Sequence, residues 1–374
     1  MFNFNFKTMK RVFFLLAAIV TTIIMMAQTP TVSVSSVTFK YCKTTSEIDV
    51  VTAKTGFPYR WQDSITFDEP GSYTILLTNV RGCDSILTLV LNEPTGEIPY
   101  EFSVSSSKKV FFSNGNLQFR ASKAGVAGDL THIVQGGYVK NGEWRFAPEQ
   151  WFVVGQSIYG NTQTAWKDLF GWGCSGYNNT QPWTSSTSYN DGVACYRPSN
   201  GSDINFAATD LNYDWGYYNS IVNAGNTPGQ WFTLTKEEWE YVIKSRSDAS
   251  NKRGCATVNG VKGYILLPDA WTACPDGLSF TPNSTYVANT YSGESWTKME
   301  NAGAVFLPCA GYRHSGGVAY SEWGFYYTAT FAGTSHDSSY NIIFKDGSTA
   351  AAYYGHNGSS PSSYNNCAGY GMSV

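Results

Sequence analysis

Charged side chains are scarce in this chain of 374 residues, and their scarcity excludes several kinds of partner. Charged residues make up 14% of the chain, against about 25% in an average soluble domain. The formal net charge of −3 offers no basic footprint for nucleic acid and no attraction to anionic lipid. Ser, Thr, Asn, Gly and Tyr must therefore cover the surface, as suits an extracellular protein.

The spacing of the metal-binding residue types argues against a metal site. No two cysteines are close enough for a C-x-x-C pair, and the four histidines are scattered singly, which disfavours structural zinc. Calcium prefers about six to eight oxygen ligands with several carboxylates among them. After Arg313, however, the acidic residues are only Glu322, Asp337 and Asp346. We therefore expect neither a metal nor another cofactor.

The longest apolar run lies at the beginning of the chain. Lys7, Lys10 and Arg11 precede "VFFLLAAIVTTIIMMA", which ends at the small Ala27. This arrangement predicts a secretory signal peptide over residues 1–27, because the run is shorter than the ~20 residues that a membrane-spanning helix needs. We expect the remaining chain to be secreted or displayed at the cell surface, without a transmembrane segment.

The cysteines all follow this segment, and an even number in an exported chain favours disulfides. The candidate pairs are Cys42 with Cys83, Cys174 with Cys195, Cys255 with Cys274, and Cys309 with Cys367. The first pair would tie early and late strands of a small domain together. The two middle pairs rest on nearness in sequence alone. The last would clamp the final strand to its sheet, with a buried thiol as the alternative.

The segment that follows the signal peptide predicts a small all-β domain over residues 28–92. Its stretches "TVSVSSVTFKY" and "GSYTILLTNV" are rich in β-branched residues, and "DEPGS" and "NVRGCDS" supply turns. The simplest role for such a module is that of a spacer. The stretch "NEPTGEIPYE" predicts a linker over residues 93–101 before a larger domain over residues 102–374.

The best-defined element of the larger domain is "LTKEEWEYVIKSR". Thr235 as N-cap and Glu238 at the third helical position form a capping box. Leu234 can pack on Trp239 from outside the helix, and apolar residues recur at helical spacing behind it. The pattern predicts an amphipathic helix that starts near Lys236.

Several strands follow this helix. The dipeptide Asn259 and Gly260, between two β-rich runs, predicts a hairpin with a tight primed turn. Strands are also predicted at "AGAVFLPCAGYR", "GFYYTATF" and "YNIIFKDGSTAAAYY", the last containing two strands joined across "KDG".

This order of motifs resembles a known family. "WFTLTKEEWEYVIKSR" is similar to a helix of formylglycine-generating-enzyme-like proteins, a branch of the C-type lectin fold. "KKVFFSNGNLQF", "DLFGWGCSGYNN", "GYILLPDAW" and "NAGAVFLPCAGYR" look closer to a secreted Bacteroidetes branch, the Fibrobacter succinogenes major paralogous type. The resemblance implies an α+β C-type-lectin-like domain. The pattern "PYRW…GSYTILLTNVRGCDS" likewise resembles immunoglobulin-like repeats of Bacteroidetes surface proteins.

The resemblance does not carry the family's catalysis with it. Formylglycine-generating enzymes hold copper(I) between two closely spaced late cysteines, because soft thiolates suit that ion. Here Cys309 and Cys367 are far apart, and "GFYYTATF" stands where the pair should lie. We therefore expect a non-enzymatic protein. A degenerate enzyme of this type and a structural or pilus-associated adhesin subunit are the alternatives.

The stretch "AAYYGHNGSSPSSYNN" near the end has the composition of a binding surface. Tyr supplies rigid contact area, and Ser, Gly and Asn supply adaptable hydrogen bonds. In C-type-lectin folds the loops between the last strands face the ligand, so we expect a metal-independent site for a protein or glycan ligand. The predicted ligand-binding residues are Tyr320, His336, Tyr340, Tyr353, Tyr354, His356, Asn357, Tyr364, Asn365 and Asn366. The resemblance also raises the hypothesis of a hypervariable protein diversified by a retroelement.

Two further groups of aromatic residues leave alternatives open. Trp166, Trp172 and Trp183 lie in a long loop-like stretch that either binds a ligand or folds back onto the domain. For Trp323, Phe325 and Tyr327, which recur near the predicted strand "GFYYTATF", a place in the core is the favoured interpretation.

Overall fold

The computed structural model describes part of the chain. The described residues are 45–52, 59–61, 65–78, 84–92, 95–120, 133–134, 138–139, 142–154, 166–177, 182, 209–314, 317–331, 339–347, 351–354 and 367–373. The predicted signal peptide lies outside them. No helix within these ranges is long and apolar enough to cross a membrane. The chain divides into two compact units, one of residues 1–47 with 75–87 and one of residues 48–74 with 88–374.

The region predicted to be all-β contains the first five strands. They are β1 (Thr45–Thr52), β2 (Tyr59–Trp61), β3 (Ile65–Phe67), β4 (Gly71–Thr78) and β5 (Asp84–Asn92). The order β1, β5, β4 forms one sheet, and β2 and β3 pair antiparallel. Side chains of β4 alternate between exposed and half-buried along its second half, as the sequence pattern indicates. The immunoglobulin-like arrangement stays a prediction, and the Cys42–Cys83 pair lies outside the described residues.

The rest of the described chain is built from strands and a few short helices. The strands are β6 (Glu97–Ser103), β7 (Lys109–Arg120), β8 (Ile133–Val134), β9 (Tyr138–Val139), β10 (Glu143–Phe146), β11 (Leu169–Phe170), β12 (Trp231–Phe232), β13 (Arg253–Val258), β14 (Val261–Leu266), β15 (Thr290–Tyr291), β16 (Val305–Pro308), β17 (Tyr312–His314), β18 (Gly317–Ala319), β19 (Gly324–Phe331), β20 (Ser339–Phe344), β21 (Ala351–Tyr354) and β22 (Cys367–Ser373). The α-helices are α1 (Trp215–Tyr218), α2 (Lys236–Glu240) and α3 (Gly293–Asn301). Short 3-10 helices span Leu211–Tyr213 and Ala249–Lys252, and a π-helix spans Tyr241–Ser245.

The main sheet of the described chain runs in the order β10, β7, β22, β19, β20, β21. The last strand, β22, pairs antiparallel with β7 and parallel with β19. Strands β11 and β12 also pair with β22, and β6 pairs with β7. The end of the described chain therefore lies in the middle of the sheet, beside one of its first strands.

Residues 97–103 differ from the sequence prediction, which placed them largely in a linker over residues 93–101. They form β6, which pairs antiparallel with β7 and buries Ile98 and Phe102. The prolines and glycine of this stretch suggested a linker, but its apolar residues alternate as in a strand. Because β6 lies at the edge, its exposed Pro99 costs no hydrogen bond to a second neighbour.

The predicted helix is confirmed. Helix α2 begins at Lys236, and both hydrogen bonds of the capping box between Thr235 and Glu238 are present. The π-helix then extends it, and Trp239, Val242 and Ile243 have at most 1% of their surface exposed. The buried stripe holds α2 against the core.

The predicted hairpin is also confirmed. Strands β13 and β14 pair with Val258 opposite Val261, and Asn259 and Gly260 have φ angles of 47° and 83°. Positive φ at both central residues is the signature of a type I′ turn. The hairpin belongs to a second sheet in the order β15, β13, β14, β16.

Aromatic residues dominate the buried clusters of the described chain. One cluster lies along β6, β7, α2 and one face of the second sheet, and another lies on the opposite face of that sheet around Trp296. A third contains Trp144, Trp215 and Trp231 together with Phe325 and Tyr327. The predicted core positions of Phe325 and Tyr327 are therefore confirmed, whereas Trp323 is only half-buried.

Two buried carboxylates organise the loops around the third cluster. Asp214 caps α1 by accepting a hydrogen bond from Gly216 N (3.0 Å), and it also accepts one from Thr233 N (2.6 Å). Asp168 accepts one from Val154 N (2.8 Å). Burial raises the pKa of each carboxyl group to about 6 against these hydrogen bonds.

The raised pKa of Asp168 predicts a measurable pH dependence of stability. Between the pKa of the unfolded chain and about 6, the folded state binds the extra proton, so the free energy of unfolding falls as pH rises through this window. We expect Asp168→Asn to make the plot of unfolding free energy against pH less steep, by the equivalent of about one bound proton. The variant should still fold, because the amide oxygen of Asn can accept the hydrogen bond from Val154 N. Urea unfolding at pH 4.5 and pH 7 measures the difference. An unchanged pH dependence in the variant would contradict this assignment.

Candidate ligand-binding surface

The structure describes only part of the predicted ligand-binding set. Tyr320 and Tyr340 are described with their side chains, and Tyr353 and Tyr354 by their place in β21. The remaining predicted residues lie outside the described residues; they are His336, His356, Asn357, Tyr364, Asn365 and Asn366.

Tyr340, Tyr353 and Tyr354 lie together at one end of the main sheet. Tyr340 pairs with Tyr354, and Asn341 pairs with Tyr353, between β20 and the edge strand β21. The ammonium of Lys236, the first residue of α2, lies 4.7 Å from the ring centroid of Tyr340. This cation–π contact brings α2 to the same end of the sheet.

Tyr320 lies at the opposite end of the β19–β20 hairpin. It precedes β19, whose first residue, Gly324, pairs with Phe344 at the end of β20. Tyr340 is four residues away from Phe344 along β20, a separation of about 13 Å at the usual rise of a strand. The predicted residues that the structure describes therefore form two separate groups.

The group around Tyr320 is an aromatic cluster of Tyr312, Tyr320, Trp323 and Phe325, called here the Tyr320 cluster. The ring of Tyr320 lies 5.6 Å from that of Tyr312 and 5.2 Å from that of Trp323, measured between centroids. Trp323 stacks on Phe325 at 6.0 Å, with 12° between the ring planes. Phe325 is buried, while 57% of Tyr320 is exposed. The cluster thus runs from the core to the surface.

The backbone of Tyr320 adopts a conformation that is costly for a bulky residue. Its φ angle is 49°, in the left-handed region where a β-carbon is crowded. Its carbonyl oxygen accepts a hydrogen bond from Trp323 N (2.8 Å), and Trp323 O accepts one from Gly311 N (3.0 Å). These bonds close a tight turn that presents the Tyr320 ring to solvent.

Charged groups surround this aromatic cluster. The ammonium of Lys345 lies 4.6 Å from the ring centroid of Trp323. Glu322, in the turn, accepts a hydrogen bond from Lys262 Nζ at 2.6 Å. The cluster therefore combines exposed ring faces with two cations and one carboxylate, which can contact either a sugar or a protein surface.

A buried polar pair supports the turn from below. Tyr286 Oη donates to Glu322 O (2.9 Å) and lies 3.2 Å from Cys309 Sγ. A phenol has one proton, so the thiol donates to the phenol oxygen. Burial raises the pKa of Cys309 to about 12 and also raises that of Tyr286. Cys309 is therefore a protonated thiol at neutral pH and a poor nucleophile.

The Cys255–Cys274 disulfide that nearness in sequence suggested is wrong. Both residues are thiols in the structure, as are Cys174 and Cys309. Cys255 belongs to the core cluster along α2, and its Sγ donates to Lys345 O (3.4 Å), whereas Cys274 packs on the opposite face of the second sheet. Cys309 is a thiol and does not form its predicted pair with Cys367. The predicted pair of Cys174 with Cys195 stays a prediction, because Cys195 lies outside the described residues.

The tryptophan-rich stretch divides between core and surface. Trp172 is 5% exposed, and its Nε1 donates to Thr328 O (2.9 Å), so it fills the core. Trp166 is half-buried, and its ring contacts the guanidinium groups of Arg120 and Arg145. Trp183 lies outside the described residues.

No group of three or more His, Cys, Asp and Glu side chains converges within the described residues to hold a metal ion. Of the acidic residues after Arg313, Glu322 pairs with Lys262, and Asp346 accepts a hydrogen bond from Tyr286 N (2.7 Å). A scan against protein-family models and searches of curated proteins and of solved structures each return no match for this chain.

Sequence reasoning found Tyr320 but missed its charged neighbours. Lys262 and Glu322 are 60 positions apart. The segment after β16 brings them together, because Cys309 N donates to Lys262 O and Gly311 N donates to Trp323 O. Lys345 stands in the predicted "KDG" turn, but its contact with Trp323 depends on the register of β19 against β20. The sequence predicts the turn at Lys345 but not the contact of Lys345 with Trp323.

The left-handed backbone of Tyr320 predicts an inverted order of stability for two variants. Tyr320→Ala and Tyr320→Gly both remove the ring, so they differ only in backbone preference. At ordinary φ angles a protein with alanine is more stable than one with glycine. At the φ of Tyr320 we expect the glycine variant to have the larger free energy of unfolding, by about 1 kcal/mol. Urea unfolding of the two variants measures the difference. A more stable alanine variant would contradict the left-handed turn.

Proposed function

We propose that this chain is an exported, non-enzymatic ligand-binding protein of the cell surface, and that the Tyr320 cluster is part of its contact surface. The observation that carries the proposal is the exposed ring of Tyr320 on a backbone with positive φ. Strained backbone conformations cluster at functional sites, and here the strained residue presents an aromatic ring that is mostly exposed.

The composition supports the same interpretation. Few charges and many Tyr, Asn, Ser and Gly residues favour a neutral, adaptable contact surface for a protein or a glycan. The segment between Tyr354 and Cys367, which contains the Tyr- and Asn-rich stretch, connects β21 with the start of β22. Because β22 runs parallel to β19 with Ala368 beside Tyr326, its start lies at the Tyr320 end of the sheet. Tyr364, Asn365 and Asn366, just before Cys367, are proposed to extend the contact surface.

The enzymatic alternative lacks support from the described thiols. A formylglycine-generating type of oxidation needs a reactive thiol pair, and burial keeps the pKa of Cys309 near 12. The strand "GFYYTATF" is buried along most of its length, so it offers no open cleft for a substrate peptide. No described observation favours the pilus-associated subunit over a free ligand-binding protein.

A binding array tests the proposed surface. We expect Tyr320→Ala to weaken binding to any glycan or protein retained by the unmodified protein by about tenfold or more, as for truncation of a central aromatic contact. Tyr218→Ala is the matched control, because Tyr218 is also an exposed tyrosine with an aromatic neighbour, Tyr177. Surface plasmon resonance on each array hit, with and without a chelator, gives the affinities.

Three outcomes of this experiment are informative. Loss of binding in Tyr320→Ala but not in Tyr218→Ala, unaffected by the chelator, supports the proposal. Full affinity in Tyr320→Ala would contradict a role of the Tyr320 cluster in binding, and loss in Tyr364→Ala at the same time would confine the contact surface to the Tyr- and Asn-rich stretch. Loss of binding with the chelator in the unmodified protein would contradict metal independence.

A template repeat and a reverse transcriptase gene beside the coding sequence would separately support the hypervariable hypothesis.

A further inference from the structure

A second polar cluster lies where β7 and β10 pair. Arg120 pairs with Glu143, and Gln118 pairs with Arg145, in the antiparallel register of the two strands. Residues opposite each other, and residues two positions apart, share one face of a sheet. These four side chains therefore stand on the same face of the ladder. Trp166 packs on the two arginines, with its ring centroid 4.4 Å from the guanidinium carbon of Arg120 and 4.1 Å from that of Arg145.

The cluster has more hydrogen-bond donors than acceptors. Glu143 is the carboxylate that pairs with Arg120, whose Nε and Nη2 both donate to the same oxygen, Oε2. Arg145 Nε donates to Gln118 Oε1 (2.9 Å). Within the described part of the chain, no acceptor forms a hydrogen bond with Nη1 or Nη2 of Arg145. The cluster thus contains two guanidinium groups and one carboxylate, and that carboxylate pairs with Arg120.

Gln118 supplies an independent sign that an acceptor is needed. Its side chain is fully buried, and its Nε2 has no hydrogen-bond partner. The bond from Arg145 to Oε1 fixes the orientation of the amide, because a flipped amide would place two donors against each other. A buried donor without an acceptor is costly, and here it lies beside an arginine with spare donors.

We infer that Gln118, Arg120 and Arg145 form a binding site for a compact oxyanion, either a carboxylate or a sulfate group. Such a group is made up of acceptors alone, and a guanidinium fork matches two of its oxygens. It would also neutralise the excess positive charge of the two arginines. In keeping with that excess, burial and the neighbouring charge of Arg120 lower the pKa of Arg145 to about 10.

The site is reachable from solvent. The side chains of Arg120 and Glu143 are 13% and 16% exposed, and Arg145 and Trp166 are half-buried. It is distinct from the Tyr320 cluster and goes beyond the proposed function, since no residue of that cluster takes part in it. The two lie at the same end of the main sheet, because Arg120 ends β7 where β22 begins.

Calorimetric titration of the purified protein tests the inference. The probes are sodium glucuronate for a carboxylate, sodium sulfate for a sulfate and glucose as the uncharged control, at constant ionic strength in chloride buffer. We expect one binding site per chain for at least one of the anions and none for glucose. Binding of glucuronate alone assigns a carboxylate, and binding of sulfate alone assigns a sulfate ester.

Variants separate this site from general anion effects. Arg145→Gln is expected to weaken anion binding by about tenfold or more, because it removes the charge and the free fork. Arg145→Lys keeps the charge but not the fork, so an intermediate affinity is expected. This variant serves as the test if Arg145→Gln fails to fold. Arg60→Gln, at an exposed arginine elsewhere, should leave binding unchanged. No binding of either anion, or equal affinity in Arg145→Gln and Arg60→Gln, would overturn the inference.

Discussion

The pairing of β22 between β7 and β19 is the interaction on which the rest of the main sheet depends. A central strand satisfies the hydrogen-bonding groups of two neighbours at once, so its loss would leave two unpaired edges. The register sets Gly369 opposite Leu117 and Ala368 beside Tyr326. Among the described strands, β22 is the one that pairs with both β7 and β19 and so joins the two parts of the sheet.

This pairing also explains where the two candidate surfaces lie. Strand β7 ends, and β19 begins, at the level where β22 begins, because β22 is antiparallel to the first and parallel to the second. Arg120 and Tyr320 therefore lie at one end of the sheet, although they are 200 positions apart in the chain. The two surfaces lie on opposite faces of that end. Gln118 and Arg120 share the face of Asn116, which Tyr326 contacts, whereas Phe325, the neighbour of Tyr326 along β19, lies on the other face with Leu117 and Phe119.

The scarcity of charge has a counterpart inside the sheet. Along β7, polar Ser113, Asn116 and Gln118 are fully buried, and Asn116 Oδ1 accepts a hydrogen bond from Tyr326 Oη (3.1 Å). Neutral amides and hydroxyls can be buried at lower cost than ionised groups. Residue types expected to cover the surface, such as Ser and Asn, are therefore also buried in the core. Gln118 shows the limit of this arrangement, since one of its polar atoms has no partner.

Local features could be predicted from the sequence, and long-range ones could not. The capping box at Thr235 and the turn at Asn259 follow from hydrogen bonds and φ preferences within a few residues, and both are present. The strand at residues 97–103 differs from the predicted linker because the prolines and glycine of residues 93–101 outweighed a short alternation of apolar residues. The wrong pairing of Cys255 has a similar origin, because nearness in sequence does not reveal which face of a sheet a side chain occupies.

The candidate surfaces show the same division. The composition near the end of the chain indicated binding, and Tyr320 was among the residues chosen. Its left-handed backbone and the cation of Lys345 depend on a turn and a register that no short pattern specifies. The Arg120 and Arg145 pair depends on two strands joined by a long connection, so the sequence contains no local sign of it.

Hydrogen exchange measured by mass spectrometry tests the central claim most directly. If β22 is the middle strand of the sheet, amides in a peptide that covers residues 367–373 will be protected as strongly as those of residues 109–120. Both peptides will then lose protection together as denaturant is added, because they share one cooperative unit. Rapid exchange of residues 367–373, while residues 109–120 stay protected, would contradict the account.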